Sequence, residues 1–147
     1  MSGPVRRGER FRWEDVLVEP YKEGGETFRD VSRQLLFGHG EGLASDLRYF
    51  EVGPGGHTTL ERHEHAHAVV VLRGGGRVLV DPEIREIRPF DLVHVPSLTW
   101  HQFRATEDEP LGFLCVADGG RDRPQRPTRL QLEELRRRPE VAAFLRV

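Results

Sequence analysis

From Phe28 to Asp118 the chain runs in short stretches rich in Val, Ile, Leu, Phe and Tyr, cut at close and fairly even spacing by turn residues. These stretches predict strands at Phe28–Leu36, Asp46–Val52, His57–His67, Val69–Leu72, Arg77–Val80, Ile84–Ile87, Leu92–Val95, Trp100–Arg104 and Leu111–Ala117. The breaks between them are GPGG at Gly53–Gly56, GGG at Gly74–Gly76, Asp81–Pro82, Arg88–Asp91, Pro96–Ser97 and Thr106–Pro110. Glycine supplies positive φ and proline presets a turn, so the breaks have a mechanism beyond polarity. No helical crossover separates the strands. The expected fold is therefore all-β with antiparallel hairpins, a sandwich or a small barrel.

Beyond Asp118 the pattern changes to a charged, proline-punctuated linker, GGRDRPQRPT, followed by RLQLEELRRRPEVAAFLRV. Thr128 is a plausible N-cap, and Leu130, Leu132, Leu135, Val141, Phe144 and Leu145 form a partial apolar stripe. Pro139 is expected to divide this tail into two short helices, packed on the barrel or on a second subunit. The organisation is thus an N-terminal arm over residues 1–27, a β-barrel over 28–118, and a linker with a helical segment over 119–147.

Composition narrows the classes of partner. The 147 residues suit one domain, and 22 basic side chains nearly balance 24 acidic ones, which leaves no broad basic field for nucleic acid. One cysteine, Cys115, excludes an internal disulfide framework and a cysteine-based zinc site. With no apolar signal region at the start and no stretch near the roughly 20 apolar residues of a membrane span, a soluble cytoplasmic protein is expected. All the basic residues but Lys22 are arginine. Anion recognition is one reading of that bias; because the arginines are scattered, coding bias or heat adaptation is the preferred one.

The chemistry concentrates in GGHTTLERHEHAHAVVVLRGGG, Gly55 to Gly76. Glu61, His63, His65 and His67 alternate with other residues, so a continuous strand points all four to one face. Imidazole nitrogen and carboxylate oxygen are the donor set of transition-metal sites. Residues two apart lie about 6.8 Å apart along a strand and can share an ion; residues four apart lie about 13.5 Å apart, a strain for side chains whose metal bonds are about 2.1 Å long, so one ion cannot take all four from a straight strand. The chain must bend, and one of the four drops out. A solvated polar face is the simpler reading for a lone histidine. Three alternating histidines, with His101 after a proline-bearing turn, favour metal instead. His39, His57 and His94 are isolated and carry no such reading. Cys115, Trp100 and Phe103 read as core, and no helix follows Gly74–Gly76 to make a phosphate loop.

The same stretch resembles the first signature of the cupin superfamily, G-x5-H-x-H-x3,4-E-x6-G, with its spacing met by Gly55, Glu61, His63, His67 and Gly74. The second signature, G-x5-P-x-G-x2-H-x3-N, falls on Phe90, Pro96, Leu98, His101 and Ala105, of which Pro96 and His101 match by identity. The resemblance implies a small conserved-barrel cupin: a double-stranded β-helix, or jelly roll, with a metal near its mouth. Carried over by position, the ligands are Glu61, His63, His67 and His101, with Glu and His exchanged at two positions and His65 as the alternative or an outer donor. The ion is one divalent transition metal, iron, manganese, nickel, zinc or copper. The resemblance further implies a metal-dependent enzyme of dioxygenase or isomerase type acting on a small organic molecule. A non-catalytic module that binds or senses a small molecule is the alternative. Small cupins pair through their sheets, and a short barrel has edges to cover, so a homodimer is expected, the arm with Phe11, Trp13, Val16 and Val18 being one source of an edge.

Overall fold

All the alternating stretches but one form strands, and every pairing among the described strands is antiparallel. The structure, a computed structural model, describes residues 3–147. Its strands are β1 (Gly8–Glu9), β2 (Arg12–Trp13), β3 (Glu19–Pro20), β4 (Arg29–Phe37), β5 (Ser45–His57), β6 (His67–Gly74), β7 (Gly76–Val80), β8 (Glu83–Ile87), β9 (Leu92–Val95), β10 (His101–Ala105) and β11 (Leu111–Asp118). Two helices follow, α1 (Arg129–Leu135) and α2 (Pro139–Phe144). One sheet runs in the order β8-β7-β10-β5-β11-β6-β9, with β4 beside β5 and β3 on the outer edge of β4. It curls into a half-barrel because β5 serves two walls. Along its first part β5 pairs with β4 and β11, and at its far end His57 lies opposite Arg104 of β10.

That double duty corrects one expectation. Gly53–Gly56 is no break; it lies inside β5. Gly55 has φ of +73°, and a Cβ on Gly56 would sit 2.5 Å from the Arg29 carbonyl oxygen. These glycines let the strand turn a corner against a neighbouring backbone. A second correction concerns His57–His67, which is not a continuous strand. Past His57 the chain runs irregularly to β6; Thr58 still bonds Phe103 of β10, and isolated bridges follow at Glu61↔His101 and Arg62↔Gln125. The backbone N–H groups of Glu64 and His65 donate to the carboxylate of Asp122 in the linker, so they are withdrawn from any ladder.

Period-two burial fills the inside. Val69 and Val71 of β6, Phe103 and Ala105 of β10, and Phe113 and Cys115 of β11 meet Val31, Phe50 and Val52 in one core. The outer face of β7 and β10 is covered by the tail, where Leu79 and Trp100 pack with Leu135, Val141, Phe144 and Leu145. The tail therefore packs on its own barrel, and of the expected stripe only Leu130 stays exposed. Thr128 caps α1, its hydroxyl accepting from the Gln131 amide, and Pro139 opens α2. Gln102, fully buried on that outer face, locks the tail down. Its amide donates to the carbonyls of Thr58 and Arg146, and its carbonyl accepts from the Arg146 amide. In the arm, Phe11 and Trp13 pack against Tyr49 at ring distances of 5.8 and 5.2 Å.

Candidate metal centre

The bend between β5 and β6 decides which side chains meet. His67 starts β6 in the inward row of Val69 and Val71, and His101 starts β10 in the inward row of Phe103. His63 comes from the irregular segment, which folds back between them. One ligand atom from each of His63, His67 and His101 lies within 4.8 Å of the others. Their backbone partners orient the rings. The Nδ1–H of His63 donates to the His65 carbonyl at 2.7 Å, and that of His101 to the Thr99 carbonyl at 2.9 Å. A carbonyl only accepts, so both rings carry their proton on Nδ1 and turn a lone pair inward at Nε2.

The Nε2 atoms of His63 and His67 are 2.9 Å apart. Two nitrogens each about 2.1 Å from one ion and at right angles to each other are separated by about 3.0 Å. The pair is thus spaced as neighbouring donors on a single transition-metal ion. Burial lowers the pKa of all three imidazoles, far below the ordinary value for His67 and to about 4 for His101. Burial disfavours the charged ring, and the neutral ring is the form that ligates.

The other two predicted residues stand close by in different roles. Glu61, buried in the same cavity, forms an ion pair with Lys22 and is not among the three converging donors. His65 stacks flat on His63, with ring centroids 3.7 Å apart and planes 4° from parallel, while its Nδ1 meets Asp122 at 2.6 Å. Asp122 is held strongly acidic, first by the Glu64 backbone N–H and then by His65. His65 thus braces His63 from behind. His94 is exposed on β9, His39 lies exposed in a 3-10 turn, and His57 bonds the Thr58 carbonyl away from the cluster.

The cluster opens into a cavity of about 220 Å³. Phe50, Phe103 and Phe113 form its apolar wall, with ring distances of 5.6 Å between Phe50 and Phe113 and 4.4 Å between Phe103 and Phe113. Cys115, expected in the core, is buried but also lines the cavity, its sulfur 2.7 Å from His67 Nδ1; burial pushes its thiol pKa up. The sequence reading missed Tyr21, Lys22, Arg33, Arg48 and Arg121, which complete the lining. Lys22 alone carried a signal, as the one lysine in an arginine-rich chain.

Comparison with known proteins agrees with this architecture. The Cupin domain family matches residues 48–117. The 1-methylthio-D-xylulose 5-phosphate methylsulfurylase of Rhodospirillum rubrum is 53% identical over 137 residues, covering 92% of this chain and 87% of its own. The crystal structure of a cupin 2 conserved barrel domain protein from Rhodopseudomonas palustris is 50% identical, with a TM-score of 0.92 over 97% of this chain and 99% of that one. A cupin-2 domain from Rhodospirillum rubrum is 51% identical, with a TM-score of 0.87 over 95% and 94% of the two chains.

Proposed function

The chain belongs to the cupin superfamily, conserved-barrel type, and from that premise we propose that it is a metal-dependent enzyme acting on a methylthio-substituted pentulose phosphate. The observation that carries this reading is the 53% identity with a protein named for 1-methylthio-D-xylulose 5-phosphate, which extends over 92% of this chain. The cavity supports it. His63, His67 and His101 would hold the ion, which supplies, when bound, Lewis-acid polarisation of a carbonyl oxygen. The wall of Phe50, Phe103 and Phe113 suits a methylthio group, since thioether sulfur makes favourable contacts with aromatic rings. Glu61, drawn off the histidines by Lys22, would accept a proton from a substrate carbon. In this role Glu61 is not a ligand.

The test is turnover of 1-methylthio-D-xylulose 5-phosphate by protein loaded in turn with manganese, iron, nickel, zinc and copper. A simple thiol is added; its sulfur takes the methylthio group as a mixed methyl disulfide while its proton replaces sulfur on the substrate carbon, and both products are followed by mass spectrometry. Loss of the methylthio group with at least one metal is expected. Intact substrate with every metal would remove the proposal. Glu61→Gln should keep its metal and lose turnover; a variant that instead loses its metal returns Glu61 to the ligand set.

A further inference from the structure

We propose that Arg48 and Arg33 form the anion-binding end of this cavity and hold the phosphate of the substrate while its other end faces the histidines. The inference rests on the sugar-phosphate reading above and assigns that phosphate a place. Arg33 of β4 lies opposite Phe50 of β5, and Leu35 lies opposite Arg48. Arg48 and Phe50 are two residues apart on one strand, so the two arginines are diagonal neighbours on the same face of the sheet. Both line the cavity.

Each guanidinium has a buried Nε–H that the protein leaves without a hydrogen bond. Arg48 stacks on Phe50 at 4.8 Å, and its Nη2 reaches only the sulfur of Cys115, at 3.7 Å. Its Nε is buried with no hydrogen-bond partner, and among the described residues Arg48 forms no ion pair. The Nε of Arg33 is likewise buried without a hydrogen bond; Glu19 stands 3.6 Å away, too far to supply one. The other charges of the lining are already matched. Lys22 pairs with Glu61, Arg121 with Asp46 at 2.7 Å, and Asp122 with His65. The uncompensated positive charge therefore sits at Arg48; Arg33 beside it has Glu19 as a counter-charge at 3.6 Å but keeps an Nε–H free of hydrogen bonds.

A guanidinium stays charged even when burial lowers its pKa, as it does for Arg48. Removing such a charge from water without a partner destabilises the fold, whereas a phosphate offers the paired oxygens that its fork fits. The cluster and the arginines are also close to each other, because Cys115 sulfur touches both His67 and Arg48. A ligand in so small a cavity reaches both ends.

The test is calorimetric titration of the metal-loaded full chain, at low salt, with D-xylulose 5-phosphate, D-xylulose and inorganic phosphate. Arg48→Gln, Arg48→Lys and Arg33→Gln are compared with the unaltered protein, with metal content and thermal melting measured on each. The unaltered protein should prefer the phosphate ester over the free sugar. Arg48→Gln should weaken ester binding about 10- to 100-fold without changing metal content, and Arg33→Gln should act in the same direction. Arg48→Lys, which keeps the charge but not the fork, should fall between. An unchanged preference for the ester in the glutamine variants overturns the assignment to these arginines and leaves the sugar-phosphate reading standing. Arg48-dependent binding of inorganic phosphate without any preference for the ester supports the anion site and removes that reading. Absence of binding by both phosphates overturns the site itself.

Discussion

Acidification is the perturbation that most directly tests how the metal site is built. Three ordinary imidazoles, each with a pKa of about 6.5, would each lose about tenfold in their neutral fraction between pH 7.5 and 5.5, or about a thousandfold in metal affinity together. Here burial holds His67 far below that value, His101 at about 4, and His63 lowered as well. The rings are then already neutral at pH 7.5, and most remain so at pH 5.5. Affinity for cobalt, read by equilibrium dialysis with circular dichroism confirming the fold, should change by less than about tenfold over that interval.

The same depression has a cost in the metal-free protein. A histidine whose folded pKa lies below its unfolded value binds fewer protons folded than unfolded, so stability is complete above pH 6.5 and is lost as pH falls towards the folded pKa. For His101 the window runs from 6.5 down to about 4, which corresponds to about 3 kcal/mol. Urea unfolding of the metal-free chain at pH 7 and at pH 4.5 should show most of that loss, and His101→Asn should reduce it. A thousandfold fall in cobalt affinity with the fold intact would refute the reasoning, because it would mean that the rings titrate as if in water.

His101→Ala should lose more metal than His65→Ala. The first removes the one donor from β10, an effect expected to exceed the roughly 10- to 100-fold of an outer contact, whereas the second keeps the backbone carbonyl that orients His63; equal retention in elemental analysis would contradict this ranking. Gln102→Ala should destabilise the fold by about 2–4 kcal/mol, since it removes three hydrogen bonds of a fully buried side chain and frees the tail, as a denaturant series will show. The protein should be a homodimer: β9 ends the sheet with Leu92 exposed, and Phe90 beside it is 86% exposed. Light scattering at micromolar concentration checks this, and a mass near that of one chain would exclude it.

Periodicity and punctuation sufficed for the β architecture because they are local. Alternate residues of β6, β10 and β11 must face one core whichever strands pair with them, and Thr128 and Pro139 set helix starts through their own backbone chemistry. The same locality explains the two misreadings. GPGG looks like a turn within four residues, yet whether a glycine run ends a strand or bends it depends on the neighbours it must pass, here Arg29 and β10. The stretch from His57 to His67 alternates like a strand, yet Asp122, 57 residues beyond His65 along the chain, takes the amide protons that a ladder would use.

Donor chemistry belongs to the residue type, so histidines 63, 67 and 101 point to a metal before any fold is known. Which of the five candidates converge depends on the angle at which the irregular segment returns between β6 and β10, a property of the folded chain. The fold drew Glu61 towards Lys22 and set His65 behind His63. It also turned two of 21 scattered arginines into a matched pair. Nothing in the composition separated Arg33 and Arg48 from the rest. The register of β4 on β5 places them side by side at the cavity, each with a buried Nε–H that has no hydrogen-bond partner, and Arg48 with no counter-charge among the described residues, which gives the pair a use that the other arginines do not have.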